Sequence, residues 1–153
     1  MSRYTTATTP TSPIVSPRSD TVVPLWGMAT SFTALVNNIV VLNGSLSSDP
    51  VWRELASGST AVTLEVTTDS DAGSRRSAPV TVVDPRRVAE LEKLKAGSPV
   101  VVIGEVRRRF FRGANGPGSR TEVVAHEVVP AGQRSRVERH IGEVRRVLGT
   151  LVV

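Results

Sequence analysis

Two β-branched runs, Val100 to Arg109 and Thr121 to Val129, flank the stretch GANGPG at Gly113–Gly118. Glycine supplies the backbone freedom a tight reversal needs, so this arrangement predicts two long strands joined by a flexible hairpin tip. Upstream, Ala61 to Thr67 alternates apolar and polar residues, which places Val62, Leu64 and Val66 on one face of a strand. Ala78 to Val83 reads as another, and FTALVNNIVVLNGSL, beginning at Phe32, as a first strand that bends at Gly44. Between the third strand and the hairpin, Pro85 to Lys95 reads as a helix. Pro85 suits a first turn, Asp84 is placed to cap it, and Val88, Leu91 and Leu94 recur every three residues before Gly97.

Three strands, a helix and a two-stranded hairpin, in that order, predict an all-β domain. The order matches a five-stranded Greek-key barrel with its helix between the third and fourth strands, the layout of an oligonucleotide-binding fold. The domain is expected over residues 32–130. Residues 1–31 are rich in Ser, Thr and Pro and poor in apolar side chains, and read as a flexible arm that buries too little surface to offset its ordering entropy. Residues 131–153 form a basic C-terminal segment, helical or extended. Its apolar residues Val137, Ile141, Val144, Leu148 and Leu151 make one helical stripe, suited to docking on the barrel or to self-association, while Gly142 and Gly149 weaken the helix.

Composition narrows the function. The 153 residues are 39% hydrophobic, enough for one domain with a core, and 19 Lys and Arg against 14 Asp and Glu leave a net charge of +5. That field favours a polyanionic partner. Only Lys93 and Lys95 are lysines, so the partner is met by guanidinium groups, which fork onto phosphate and stack on bases. With no cysteine and two histidines, thiolate metal sites and disulfides are excluded, and no cofactor is expected. No run reaches the roughly 18 apolar residues of a membrane span, and no signal-peptide core is present, so no membrane partner and a cytoplasmic, nucleoid-associated location are expected. Glu122, His126 and Glu127 are the only local acid–base cluster. No nucleophile or phosphate-cradling loop accompanies them, and the chain is not expected to be an enzyme.

Several stretches together resemble the bacterial single-stranded DNA-binding proteins. NNIVVLNGSLSSDPVWRELASGSTAVTLEVTT from Asn37 has the asparagine before the strand, Gly44, Asp49-Pro50, Arg53, Gly58 and Ala61-Val62. VAELEKLKAGSPVVVIGEVRRRFF and SRTEVVAHEVV are similar to that family's helix, fourth strand with Gly104, and fifth strand. The resemblance covers about Asn37 to Val129. It implies a homotetramer, a dimer of dimers paired through the first strands, and sequence-independent binding and protection of single-stranded DNA in replication, recombination or repair.

Such binding needs cations along the phosphates and rings on which unpaired bases stack, each stack contributing about 1–3 kcal/mol. Arg107, Arg109 and Phe111 should share one face of the fourth strand, with Arg108 and Phe110 on the other. Phe111 falls where the family has its base-stacking aromatic. Phe110, Arg107, Arg109, Arg112 and Arg120 would surround it, Arg75 and Arg76 in the loop DSDAGSRRS would extend the basic track, and Trp52 is an added contact or a packing residue. Arg86 and Arg87 read as solvated charge. Where many family members carry further aromatics, this chain has Thr68, Asp69, Ser70, Ser77, Ala78 and Pro79, so weak, salt-dependent binding is expected. The acidic, Phe-terminated tip of that family is also missing, which points to a divergent paralogue. The alternative is an interaction or architectural oligomer that keeps the barrel and has lost much of its DNA face.

Overall fold

β-Branched and alternating runs become strands wherever one face can be buried. The computed structural model describes residues 38–151. The elements are β1 (Val40–Leu46), β2 (Val51–Glu54), β3 (Thr60–Asp69), β4 (Arg75–Val83), α1 (Val88–Leu91), β5 (Pro99–Gly113), β6 (Gly116–Pro130) and α2 (Arg134–Leu151). The arm, and Phe32 to Asn37 of the expected first strand, lie outside the described residues.

The described chain is mostly β, and its six strands form one sheet in the order β1-β5-β6-β4-β3-β2. All neighbours are antiparallel except β4 and β6, which run parallel through Val80↔Val123 and Thr81↔Val124. Past Gly44, β1 leaves β5 and meets β3 at Ser45↔Thr67 and Leu46↔Val66, so the hydrogen bonding is ring-like. Gly44 permits that crossing, since a Cβ there would lie 2.1 Å from the Thr67 carbonyl oxygen. The inner face gathers the core: Val62, Leu64 and Val66 of β3, Val80 and Val82 of β4, Val100 and Val102 of β5, and Val123, Ala125 and Val128 of β6. The alternation expected for β3 therefore holds.

Five expectations are corrected. The helix over Pro85 to Lys95 is a single α-helical turn, because one turn suffices to bring Leu91 and Leu94 into the core while Val88 stays exposed. Asp84 does not cap it; its carboxylate accepts from the Thr60 backbone N–H at 2.9 Å instead. A sixth strand, β2, forms where no element was expected, paired to β3 from Val51↔Thr63 to Glu54↔Thr60. The flexible tip shrinks to Ala114 and Asn115: Gly113 and Gly116 already pair, and Gly116 takes a φ of 106°, which suits glycine. Arg75 and Arg76 lie in β4 rather than in a loop.

The C-terminal segment is helical and docks on the outer face of β1 and β5. Val137, Ile141, Val144 and Val147 pack against Ile39, Val101 and Ile103. Leu148, part of the expected stripe, is exposed, because Val147 takes the contact in that turn. At the helix start, Arg136 donates to Glu90 at 2.6 Å and lies 3.8 Å from Glu127, which ties α2 to α1 and β6. No helix among the described residues is long and apolar enough to cross a membrane.

The hydrogen bond and charge of Arg136, with a smaller contribution from Arg87, hold the Glu90 carboxyl below the usual glutamate range. Its folded pKa is depressed, so this stabilisation is complete above the unfolded value and is lost as pH falls through the folded one. In urea unfolding at neutral and strongly acidic pH, Glu90→Gln should therefore show a smaller acid loss than the wild type. Gly104→Ala, whose Cβ would sit 2.2 Å from the Val124 carbonyl oxygen, should lose about 1–3 kcal/mol in the same measurement. Gly142→Ala, on an open helical position, should gain about 0.5–1 kcal/mol.

Candidate nucleic-acid interface

Beyond Val106 the β5–β6 ladder runs out of apolar partners and becomes a ribbon of charge and aromatic rings. The ladder shifts register at Ile103/Gly104, leaving His126 opposite no residue of β5. Past that bulge the even residues of β5 continue the inner face, since Val106 pairs with core Val123. The odd residues face outward: Arg107↔Glu122, Arg109↔Arg120 and Phe111↔Gly118. Arg107, Arg109 and Phe111 thus share a face, as side-chain alternation requires.

Phe111 lies across its partner strand because residue 118 has no side chain. A Cβ at Gly118 would fall 2.8 Å from Phe111 Cε2. The ring is 49% exposed and stands at the wall of a groove of about 490 Å³. Arg109, Arg120 and Glu122 complete that wall, while Val51 and Arg53 of β2, Thr63 of β3 and Thr81 of β4 line the rest. The groove crosses five neighbouring strands on the outer face.

Its charges are arranged in pairs. Glu122 is 8% exposed; its Oε2 accepts from Thr81 Oγ1 at 2.8 Å, and its Oε1 lies 3.3 Å from Arg109 Nε without hydrogen-bond alignment. Holding Arg109 by Nε leaves its terminal N–H groups for another acceptor, and removing that arginine would strand a buried carboxylate. Arg120 donates to Glu65 at 3.2 Å across β4, where Glu65 has Pro79 as its register partner. That pair is exposed and worth little, on the order of 0.2–1 kcal/mol, so a phosphate can displace the carboxylate at small cost. Arg107 pairs with Glu105. Arg53 and Arg112 carry no ion pair among the described residues.

Phe110 is 75% exposed on the other face of the ribbon. The Arg108 guanidinium sits 5.3 Å from its ring centroid and is itself anchored by two donations to Ser119 Oγ, at 3.0 and 2.8 Å. This ring does not close the core. Arg112 stands at the ribbon tip opposite Pro117. Arg75 pairs with Asp69 at 3.3 Å at the far end of β4, away from the groove lining, and Arg76 is exposed beside it. Trp52 is separated from the groove. Its register partner is Val62 on the inner face, and it lines a hollow with Thr60, Asp84, Pro85, Val88 and Glu92 near α1.

Sequence reasoning missed Arg53, Thr63, Thr81 and the carboxylates Glu65 and Glu122 as parts of this site. Val-Trp-Arg-Glu at Val51–Glu54 shows no period-two alternation, so nothing in it signalled the strand that aims Arg53 here. Glu122 and His126 do not meet: Glu122 is held by Thr81 and Arg109, whereas His126 Nε2 lies 4.0 Å from Glu105. Among the described residues no cluster of His, Asp and Glu is placed to hold a metal ion.

Thr81→Val should cost about 1–3 kcal/mol in urea unfolding, because it removes the donor of a buried carboxylate. Adding Glu122→Leu to it should restore most of that loss, since two apolar side chains leave nothing unpaired. The chain matches no known protein-family model.

Proposed function

We propose that this protein binds single-stranded DNA, independently of base sequence, in the outer-face groove at the root of the β5–β6 ribbon. The observation that carries the reading is Phe111, half exposed one same-face step beyond the Arg109↔Arg120 pair, with Arg53 on the opposite bank. A ring flanked by guanidinium groups meets the two needs of an unpaired strand, a stacking surface and neutralised phosphates. The scaffold in this reading is an oligonucleotide-binding barrel, compatible with the ring-like pairing, the parallel β4–β6 contact and α1 between β4 and β5. The resemblance to bacterial single-stranded DNA-binding proteins belongs to the same proposal, with a role in replication, recombination or repair. Self-association through first strands is part of it too: among the described residues Val40 to Asn43 pair only with β5, so that the other edge of β1 would take a second copy.

One observation favours the second reading, an interaction or architectural protein with a weakened DNA face. Arg107, Arg109 and Arg120 already face Glu105, Glu122 and Glu65, so the positive field over the groove is partly cancelled.

Fluorescence anisotropy with labelled oligo-dT at several salt concentrations separates the two. Single strands should bind more tightly than duplex, with log K falling by about 0.7 per phosphate neutralised for each unit of log salt. Phe111→Ala should lower affinity about five- to a hundredfold, the loss of one stacked base, with unchanged circular dichroism. Equal binding by wild type and Phe111→Ala, or no preference for single strands, would favour the second reading.

A further inference from the structure

We infer that a strand in the groove continues down the outer face to the start of α2, along a basic path through Arg86, Arg134 and Arg139; this rests on the nucleic-acid reading above. Three depressions lie in series. The groove is lined by Thr81 of β4, and the next hollow, about 280 Å³, by Val83, which is one side-chain step further along the same face. Such a step is roughly 7 Å. On β6 the same passage leads from Glu122 to His126 and Glu127, past the bulge. Arg86 and Arg87 form the far wall of this hollow, and Arg87 also lines the third depression, about 570 Å³, with Arg134, Arg136 and Arg139.

The acids along the way are already engaged. Asp84 accepts from the Thr60 N–H, Glu90 holds Arg87 and Arg136, and Glu127 faces Arg136. Arg86, Arg134 and Arg139 are exposed and carry no ion pair among the described residues. Unlike Arg120, they need release no carboxylate to meet a phosphate. Exposed Val83 and half-buried Pro85 supply apolar surface between them for sugar and base.

The path predicts that affinity depends on length beyond what the groove alone can hold. Anisotropy titrations of oligo-dT of about 5 and about 15 nucleotides, within the range one such fold occupies, test it. In the wild type the longer oligonucleotide should bind at least tenfold more tightly. The triple variant Arg86→Ala/Arg134→Ala/Arg139→Ala should leave the short one unchanged and bring the long one down to it. The salt slope for the long oligonucleotide should fall by about 2, at roughly 0.7 per lost phosphate contact. Long-strand affinity that survives the triple variant overturns the path, as does an equal loss for both lengths, which would reflect a diffuse field. Short-strand binding that never improves with length overturns the path alone. Failure of the wild type to bind either length overturns the groove reading and the path together.

Discussion

The ladder between β5 and β6, from Val100↔Pro130 to Gly113↔Gly116, is the contact on which the other parts depend. Its first half is apolar on both faces: Val100 and Val102 point into the core, and Val101 and Ile103 support α2. Its second half has no core to enter and carries Arg107 to Arg112 instead. The change occurs at one place, where Gly104 lets the strands approach too closely for any side chain and the register slips past His126. A bulge of this kind bends and twists the ribbon, which re-aims the side chains beyond it. The rest of the sheet sets the opposite bank.

The electrostatics of the groove follow from burial. A carboxylate as enclosed as Glu122 needs partners within the protein: Thr81 donates to one oxygen, and the Arg109 charge lies 3.3 Å from the other. Arg109 therefore sits beside a buried carboxylate with its terminal N–H groups unengaged by it, while Arg120 is loosely held by an exposed partner. In the nucleic-acid reading proposed above, a phosphate would meet one cation already in place and one that must exchange ligands. The Phe111 ring lies one same-face step beyond this pair, across the ribbon, where Gly118 leaves it room.

Much of this was legible in the sequence, for a local reason. Alternation along a strand has a period of two, so Arg107, Arg109 and Phe111 could be assigned to one face, and Arg108 and Phe110 to the other, before any partner strand was known. The inward set Val62, Leu64 and Val66 was readable in the same way. What misled was length. Val88, Leu91 and Leu94 carry a helical period, yet the core takes only Leu91 and Leu94, and the helix stops once they are placed. The glycines of GANGPG suggest a loose tip, but glycine also tolerates a paired strand when a partner backbone holds it, as Gly113 and Gly118 are held. β2 is too short to announce itself and exists because β3 has a free edge beside it.

The sequence by itself determined the order of the five longer strands and of α1, the composition of the core, and the concentration of arginine and phenylalanine in one segment. These depend on nearest neighbours and on which side chains shun water. Tertiary structure decided which cations lie together and which are neutralised. Arg53 reaches the groove only because β2 pairs with β3, Arg120 is held by Glu65 only because β4 lies between them with a proline in register, and Trp52 is turned away by its pairing with Val62. Interactions between residues far apart in the chain depend on register, and register is set when the ring of strands closes.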